Sequence, residues 1–333
     1  MSQQPLCLSL RQVRYAVGSA RSAGGVTEIL SGVDVTAQPG QVTVIIGPNG
    51  AGKTTTLNCA QGLLRPSAGT VELLGEDPYR AGADLRARVG VMLQDGGLPQ
   101  AVPPAVLLKH VSRLHQNPWP LDDLVDRLDM SDFLTTGIRR LSGGQKQRVA
   151  LAAALIGDPE VVFLDEPSAG LDPQSRQVVF DLIEQLRDQG RGIVLTTHLL
   201  EEAQRLADTV FILKDGLVVR HGTVAELTAA HDGAHDDAQN GTTGQRADGP
   251  ARRLVFVSPR RLTPEELHAA PLPVQLDGAG ANQAGARWAV SDIADPADFG
   301  SLSSWWQHIG LMPSEITFES RTLEDVFWEV SAP

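Results

Sequence analysis

Three short runs of this chain carry residue types and spacings that chemistry could use. Gly47-Pro48-Asn49-Gly50-Ala51-Gly52-Lys53-Thr54 satisfies the pattern G-x-x-x-x-G-K-[ST] at every fixed position. Its glycines let backbone N–H groups wrap a polyphosphate, and a helix starting at Lys53 would add its positive end. Lys53 is placed to neutralise β- and γ-phosphates, Thr54 to ligate Mg²⁺, and Thr55 to reach an α-phosphate. The second run, Val161-Val-Phe-Leu-Asp165-Glu166, ends an apolar stretch in two carboxylates. Asp165 would hold Mg²⁺ through water. Glu166 would orient or activate an attacking water, a general-base role worth ~10²–10⁴-fold in rate. The third run, Leu141-Ser142-Gly143-Gly144-Gln145, stands directly before a helical pattern, so its hydroxyl and glycine N–H groups lie at a positive helix end.

These runs need elements to hold them. Leu6–Leu10 and Val33–Thr36 alternate as half-buried strands do, and Val42–Ile46 reads as a buried strand running into the phosphate loop. Val71–Leu74 and Val89–Leu93 read as further strands. Residues 100–140 show helical patterning broken at Pro103, Pro104, Pro118 and Pro120, and a long helix follows from Ser142 to about Ile156. Val161–Leu164 and Ile193–Thr197 are continuous apolar strands of the kind found in parallel sheets covered on both faces, with a crossover helix over Gln174–Gln189. The alternation predicts an α/β core.

The phosphate loop and acidic strand end alone would fit many nucleotide hydrolases. With LSGGQ between them, the chain resembles the ATP-binding cassette (ABC) ATPases over roughly residues 6–227. The resemblance implies ATP and Mg²⁺ as ligands. It also implies an α/β P-loop NTPase cassette with a RecA-like core, an antiparallel β subdomain and a helical signature subdomain over about 97–157. Gln94 takes the place of the family's Q-loop glutamine, which contacts metal or water. His198 takes that of the histidine that holds the γ-phosphate and water. Ser168-Ala-Gly-Leu-Asp172 resembles the D-loop, and Tyr15 the aromatic that stacks on adenine. In this family the signature residues Ser142 to Gln145 bind the ATP of a second cassette. The resemblance therefore implies a dimer, a separate integral-membrane permease subunit, and a place at the cytoplasmic face of the membrane.

The ending Thr322-Leu-Glu-Asp-Val-Phe-Trp328 resembles that of drug-resistance exporter ATPases of the daunorubicin type. Val102-Pro-Pro-Ala stands where a T-V-x-E element is usual, which puts the contact with the permease in question, and Ala153 replaces a common Arg. The rival reading is an ABC ATPase with no transport role. Translation-type members usually carry two cassettes, and repair-type members insert a coiled coil that is not visible between Lys53 and Leu141.

Composition bounds the rest. The 333 residues carry a net charge of −12, and Lys is confined to Lys53, Lys109, Lys146 and Lys214, which argues against broad nucleic-acid binding. No apolar run approaches the ~20 residues a membrane span needs, and the N-terminus shows no secretory pattern. Cys7 and Cys59 read as two free thiols. Residues 228–251 contain no Val, Leu, Ile, Met or aromatic residue and read as a flexible linker spanning roughly 25–30 Å. The cassette is thus expected over 1–227, the linker over 228–251, and a small acidic α+β domain of ferredoxin-like pattern over 252–333.

Overall fold

The computed structural model describes residues 6–18, 26–92, 97–229, 252–276, 285–290, 293 and 296–331. Gln94 and nearly all of the expected linker lie outside the described residues. The chain divides into two compact units, Met1–Val224 with Val330–Pro333, and Ala225–Glu329.

The first unit contains, in chain order, β1 (Leu8–Gly18), β2 (Val26–Ala37), β3 (Val42–Ile46), α1 (Lys53–Ala60), β4 (Ala68–Leu73), α2 (Ala83–Ala87) and β5 (Val89–Met92). Then come α3 (Pro104–Ser112), α4 (Leu121–Arg127), α5 (Gly143–Leu155), β6 (Val161–Asp165), α6 (Pro173–Asp188), β7 (Gly192–Thr197), α7 (Leu200–Leu206), β8 (Thr209–Lys214) and β9 (Leu217–Gly222); α8 (Val224–Thr228) begins at the unit's last residue here and runs into the second unit. A six-stranded sheet runs in the order β5-β6-β7-β3-β8-β9. Its first five strands are parallel and β9 returns antiparallel along β8. Every residue of β3, β6 and β7 is buried, which is why these strands are apolar without alternation. A second, antiparallel sheet of order β2-β1-β4 shares its core with this one.

Between β5 and β6 the chain leaves the sheet to form α3, α4 and α5. Three of the four Pro interruptions noted in the sequence mark helix starts: Pro103 and Pro120 are the N-caps of α3 and α4. Pro104 occupies the first turn of α3, where its missing N–H costs nothing. The β8–β9 hairpin and α7 were not assigned from the sequence, because residues 200–222 alternate too briefly to separate strand from helix.

The second unit contains β10 (Arg252–Ser258), α9 (Pro264–His268), β11 (Val274–Leu276), β12 (Ala286–Val290), α10 (Pro296–His308), β13 (Glu315–Ser320) and α11 (Leu323–Ser331). Its sheet runs β11-β12-β10-β13, with every neighbouring pair antiparallel. This is the split β-α-β-β-α-β arrangement of ferredoxin-like folds. Leu254, Phe256, Trp288 and Val290 of the sheet pack against Leu302, Trp305 and Trp306 of α10. The Trp288 indole donates to Ser258 Oγ at 2.8 Å, so its polar edge is satisfied within the core. Arg253 bridges Glu319 (2.8 Å) and Asp325 (2.9 Å).

Candidate functional site

The site begins where three parallel strands end together. In register, Asp165 of β6 lies beside Thr196 of β7, and Thr197 of β7 beside Ile46 of β3. The residues that follow these positions, Glu166, His198 and Gly47, therefore emerge side by side at the carboxyl ends of the strands, where open α/β sheets bind ligands.

The loop from Gly47 to Gly52 needs its glycines. Gly52, the N-cap of α1, has φ +103°, and a Cβ there would stand 2.7 Å from Leu30 Cδ2. A Cβ on Gly47 would come 2.3 Å from the Leu213 carbonyl oxygen. Pro48, Asn49 and Gly50 are exposed on the loop, and Ala51 is buried beneath it. Helix α1 has neither a side-chain cap nor an acidic residue in its first turn, so its positive end has no anionic partner of its own.

Lys53 is only 7% exposed, and its Nζ donates to the carbonyls of Gly47 (2.8 Å) and Pro48 (3.3 Å). Burial lowers the pKa of this ammonium, and the nearby carboxylates of Glu166 and Asp165 push it back up. A buried cation held mainly by carbonyl dipoles suits a polyphosphate. Thr54 is exposed and Thr55 half-buried on the first turn of α1, whereas Thr56 is buried and bonds back to the Gly52 carbonyl at 2.9 Å. The oxygen donors Thr54 and Asp165 suit a hard cation such as Mg²⁺.

Asp165 is buried, and the Thr196 hydroxyl donates to its Oδ1. Glu166 is also buried and holds a left-handed backbone at φ +52°, uncommon for a residue with a side chain. Its N–H donates to the Thr196 carbonyl (3.1 Å) and hydroxyl (3.2 Å), and its carbonyl accepts from Gln147 Nε2 at 2.8 Å. These bonds hold a conformation costing about 1–3 kcal/mol, and they aim the carboxylate at His198, whose Nδ1 it contacts.

Ser142 caps α5. Its Oγ accepts from the Gln145 N–H (3.2 Å), and the Gln145 side chain accepts from the Ser142 N–H (3.0 Å), a complete capping box. Ser142 and Gly143 are exposed, and Gly144 lies against Leu171, with room for no more than 3.1 Å between an added Cβ and Leu171 Cδ2. Among the described residues no hydrogen bond joins residues 141–145 to the phosphate loop. Helix α5 packs on β5 and α3, whereas α1 packs on β1, β2, β4 and β6. Asp172 is the N-cap of α6 and accepts from Ser175 N (2.9 Å) and Oγ (2.8 Å), bonds that hold its carboxyl below the usual range. Tyr15, in β1, is half-buried against the core and paired with Leu30.

Two residues at this site were not picked out from the sequence. Thr196 was read only as part of an apolar strand. The signal was a pair of hydroxyl residues at the end of an otherwise aliphatic run. Gln147 lies one helical turn before the buried Leu151, so a polar side chain there faces inward and needs a partner.

The ABC transporter family model matches residues 30–169. The daunorubicin resistance ATP-binding protein DrrA3 of Streptomyces coeruleorubidus is 38% identical over 234 residues, covering 69% of this chain and 74% of that protein. The Nod factor export ATP-binding protein I of Paraburkholderia xenovorans is 35% identical over 214 residues, covering 63% and 70%. Among solved structures, a dimeric ATP-binding cassette in a post-hydrolysis state with ADP and Pi aligns with a TM-score of 0.58 at 23% identity. That alignment covers 65% of this chain and 98% of that one, and it shows the same fold.

Proposed function

Since this chain belongs to the ABC transporter family of ATP-binding proteins, we propose that it hydrolyses Mg²⁺-ATP to drive an exporter through a separate membrane subunit. The observation that carries the reading is the contact between Glu166 and His198 at the strand ends, with buried Lys53 held in the adjoining loop. Gly47 to Gly52 would wrap the phosphates, Lys53 would neutralise the β- and γ-phosphates, and Thr55 would reach the α-phosphate. Mg²⁺, held by Thr54, by Gln94 and through water by Asp165, would supply charge neutralisation on the phosphate oxygens. Glu166 would accept the proton of the attacking water, with His198 holding the γ-phosphate and that water in line. Tyr15 would stack on the adenine.

Among the described residues no hydrogen bond joins the signature to this cradle, and α5 and α1 pack on different elements, so Ser142, Gly143, Gly144 and Gln145 would meet the ATP of a second cassette. Asp172 would lie at the junction. The solved cassette of the same fold is a dimer. Relatives named for resistance and export favour an exporter over an ABC ATPase without a transport role. No helix among the described residues is long and apolar enough to cross a membrane, in keeping with a separate permease at whose cytoplasmic face this chain would dock.

The test is Glu166→Gln. It keeps the volume and removes the base, so ATP binding should persist while turnover drops at least ~100-fold. Parental turnover in the purified variant would refute the assignment.

A further inference from the structure

Glu202 lies outside the catalytic assignment, yet it is the most fully satisfied buried acid near it. It sits in the first turn of α7 and is 3% exposed. One carboxylate oxygen accepts from Ser168 Oγ and the other from Thr197 Oγ1 at 2.9 Å. Arg176 of α6 stands at 3.8 Å. Ser168 and Thr197 are themselves buried, and Thr197 Oγ1 also accepts the Leu199 N–H at 3.0 Å.

The chain positions make this arrangement informative. Ser168 is two residues after Glu166, and Thr197 is one residue before His198. The segments carrying the base and the histidine are otherwise joined at this end by the Thr196 bonds and the Glu166–His198 contact. A buried carboxylate is costly to desolvate and contributes little to stability over an apolar side chain of similar size. What it adds here is geometry: two oxygens set the spacing between the loop after Glu166 and the end of β7.

We propose that Glu202 is a positioning residue that clamps the loop after Glu166 to the end of β7 and so keeps His198 on Glu166. The inference rests on Glu166 and His198 forming the hydrolytic pair. Glu202→Leu fills the volume without bridging, and Glu202→Gln can still bridge, accepting from one hydroxyl and donating to the other.

In the full chain at saturating Mg²⁺-ATP, Glu202→Leu is expected to lower kcat roughly 10–100-fold, the scale of a small misplacement of reacting groups, with ATP affinity unchanged. Glu202→Gln should recover most of that loss. The double variant Ser168→Ala/Thr197→Val should reproduce it, and adding Glu202→Leu to the pair should cost little more. Parental kcat in Glu202→Leu, equal losses in the Gln and Leu variants, or full additivity with the hydroxyl pair would each overturn the clamp. Should Glu202→Leu fail to fold, the hydroxyl pair decides alone, and parental kcat there overturns the proposal. Glu166→Gln separates the two levels. If it keeps turnover, the site assignment fails; if it loses turnover while Glu202→Leu does not, only the clamp fails.

Discussion

At the scale of the residue, Gly52 and Glu166 show opposite solutions to the same backbone demand. Both hold positive φ, one as a glycine and the other by hydrogen bonds to Thr196 and Gln147. Gly52→Ala would carry a strain of about 1–3 kcal/mol and crowd Leu30. The loop is expected to relax out of its cradle shape, weakening ATP binding roughly tenfold or more in a titration. Unchanged affinity would show that the loop shape does not set binding. The two thiols are a second case. Burial pushes Cys7 up to about 12 and Cys59 up to about 11, so at pH 8 both are protonated as well as covered. Mass spectrometry after alkylation at that pH should find neither modified in the native protein and both modified in denaturant. Rapid labelling of either in the native state would contradict the packing.

At the scale of the element, α5 carries two duties on one residue. Ser142 caps the helix, and it is exposed, where the proposed second cassette would meet it. Ser142→Arg loses the cap, worth about 1 kcal/mol of stability, and places a bulky cation on the proposed dimer surface. ATP binding to the monomer should survive and hydrolysis should be lost. Normal turnover would exclude the composite site. Gln147, farther along the same helix, reaches the Glu166 carbonyl, so α5 is tied at its inner face to the acidic strand end of its own chain. Periodicity predicted α5, because a helix pattern is local; its capping box was not read from the sequence. The partner of Gln147 lies nineteen residues away, just past the end of β6, and no local pattern names it.

At the scale of the whole molecule, two units with separate cores predict separable unfolding. Trp288, Trp305, Trp306 and Trp328 lie in the second unit and Trp119 in the first, so fluorescence reports chiefly on the second. ATP bound at the first unit should stabilise that unit alone, by about 2.7 kcal/mol at a hundredfold excess over Kd. Calorimetry with Mg²⁺-ATP should therefore raise one transition while the fluorescence transition stays. Equal shifts in both would show a single cooperative body. The sequence alone determined the phosphate loop, the acidic strand end, the signature with its helix, and the α/β class, since each is a contiguous pattern whose chemistry follows from neighbours in the chain. Tertiary structure decided the rest. Tertiary packing set Glu166 beside His198 across thirty-two residues, placed Thr196 between Asp165 and Glu166, and put Glu202 across the loop after Glu166 and the end of β7. Register and pairing are non-local, and a run of buried aliphatic residues reads the same whichever strand lies next to it.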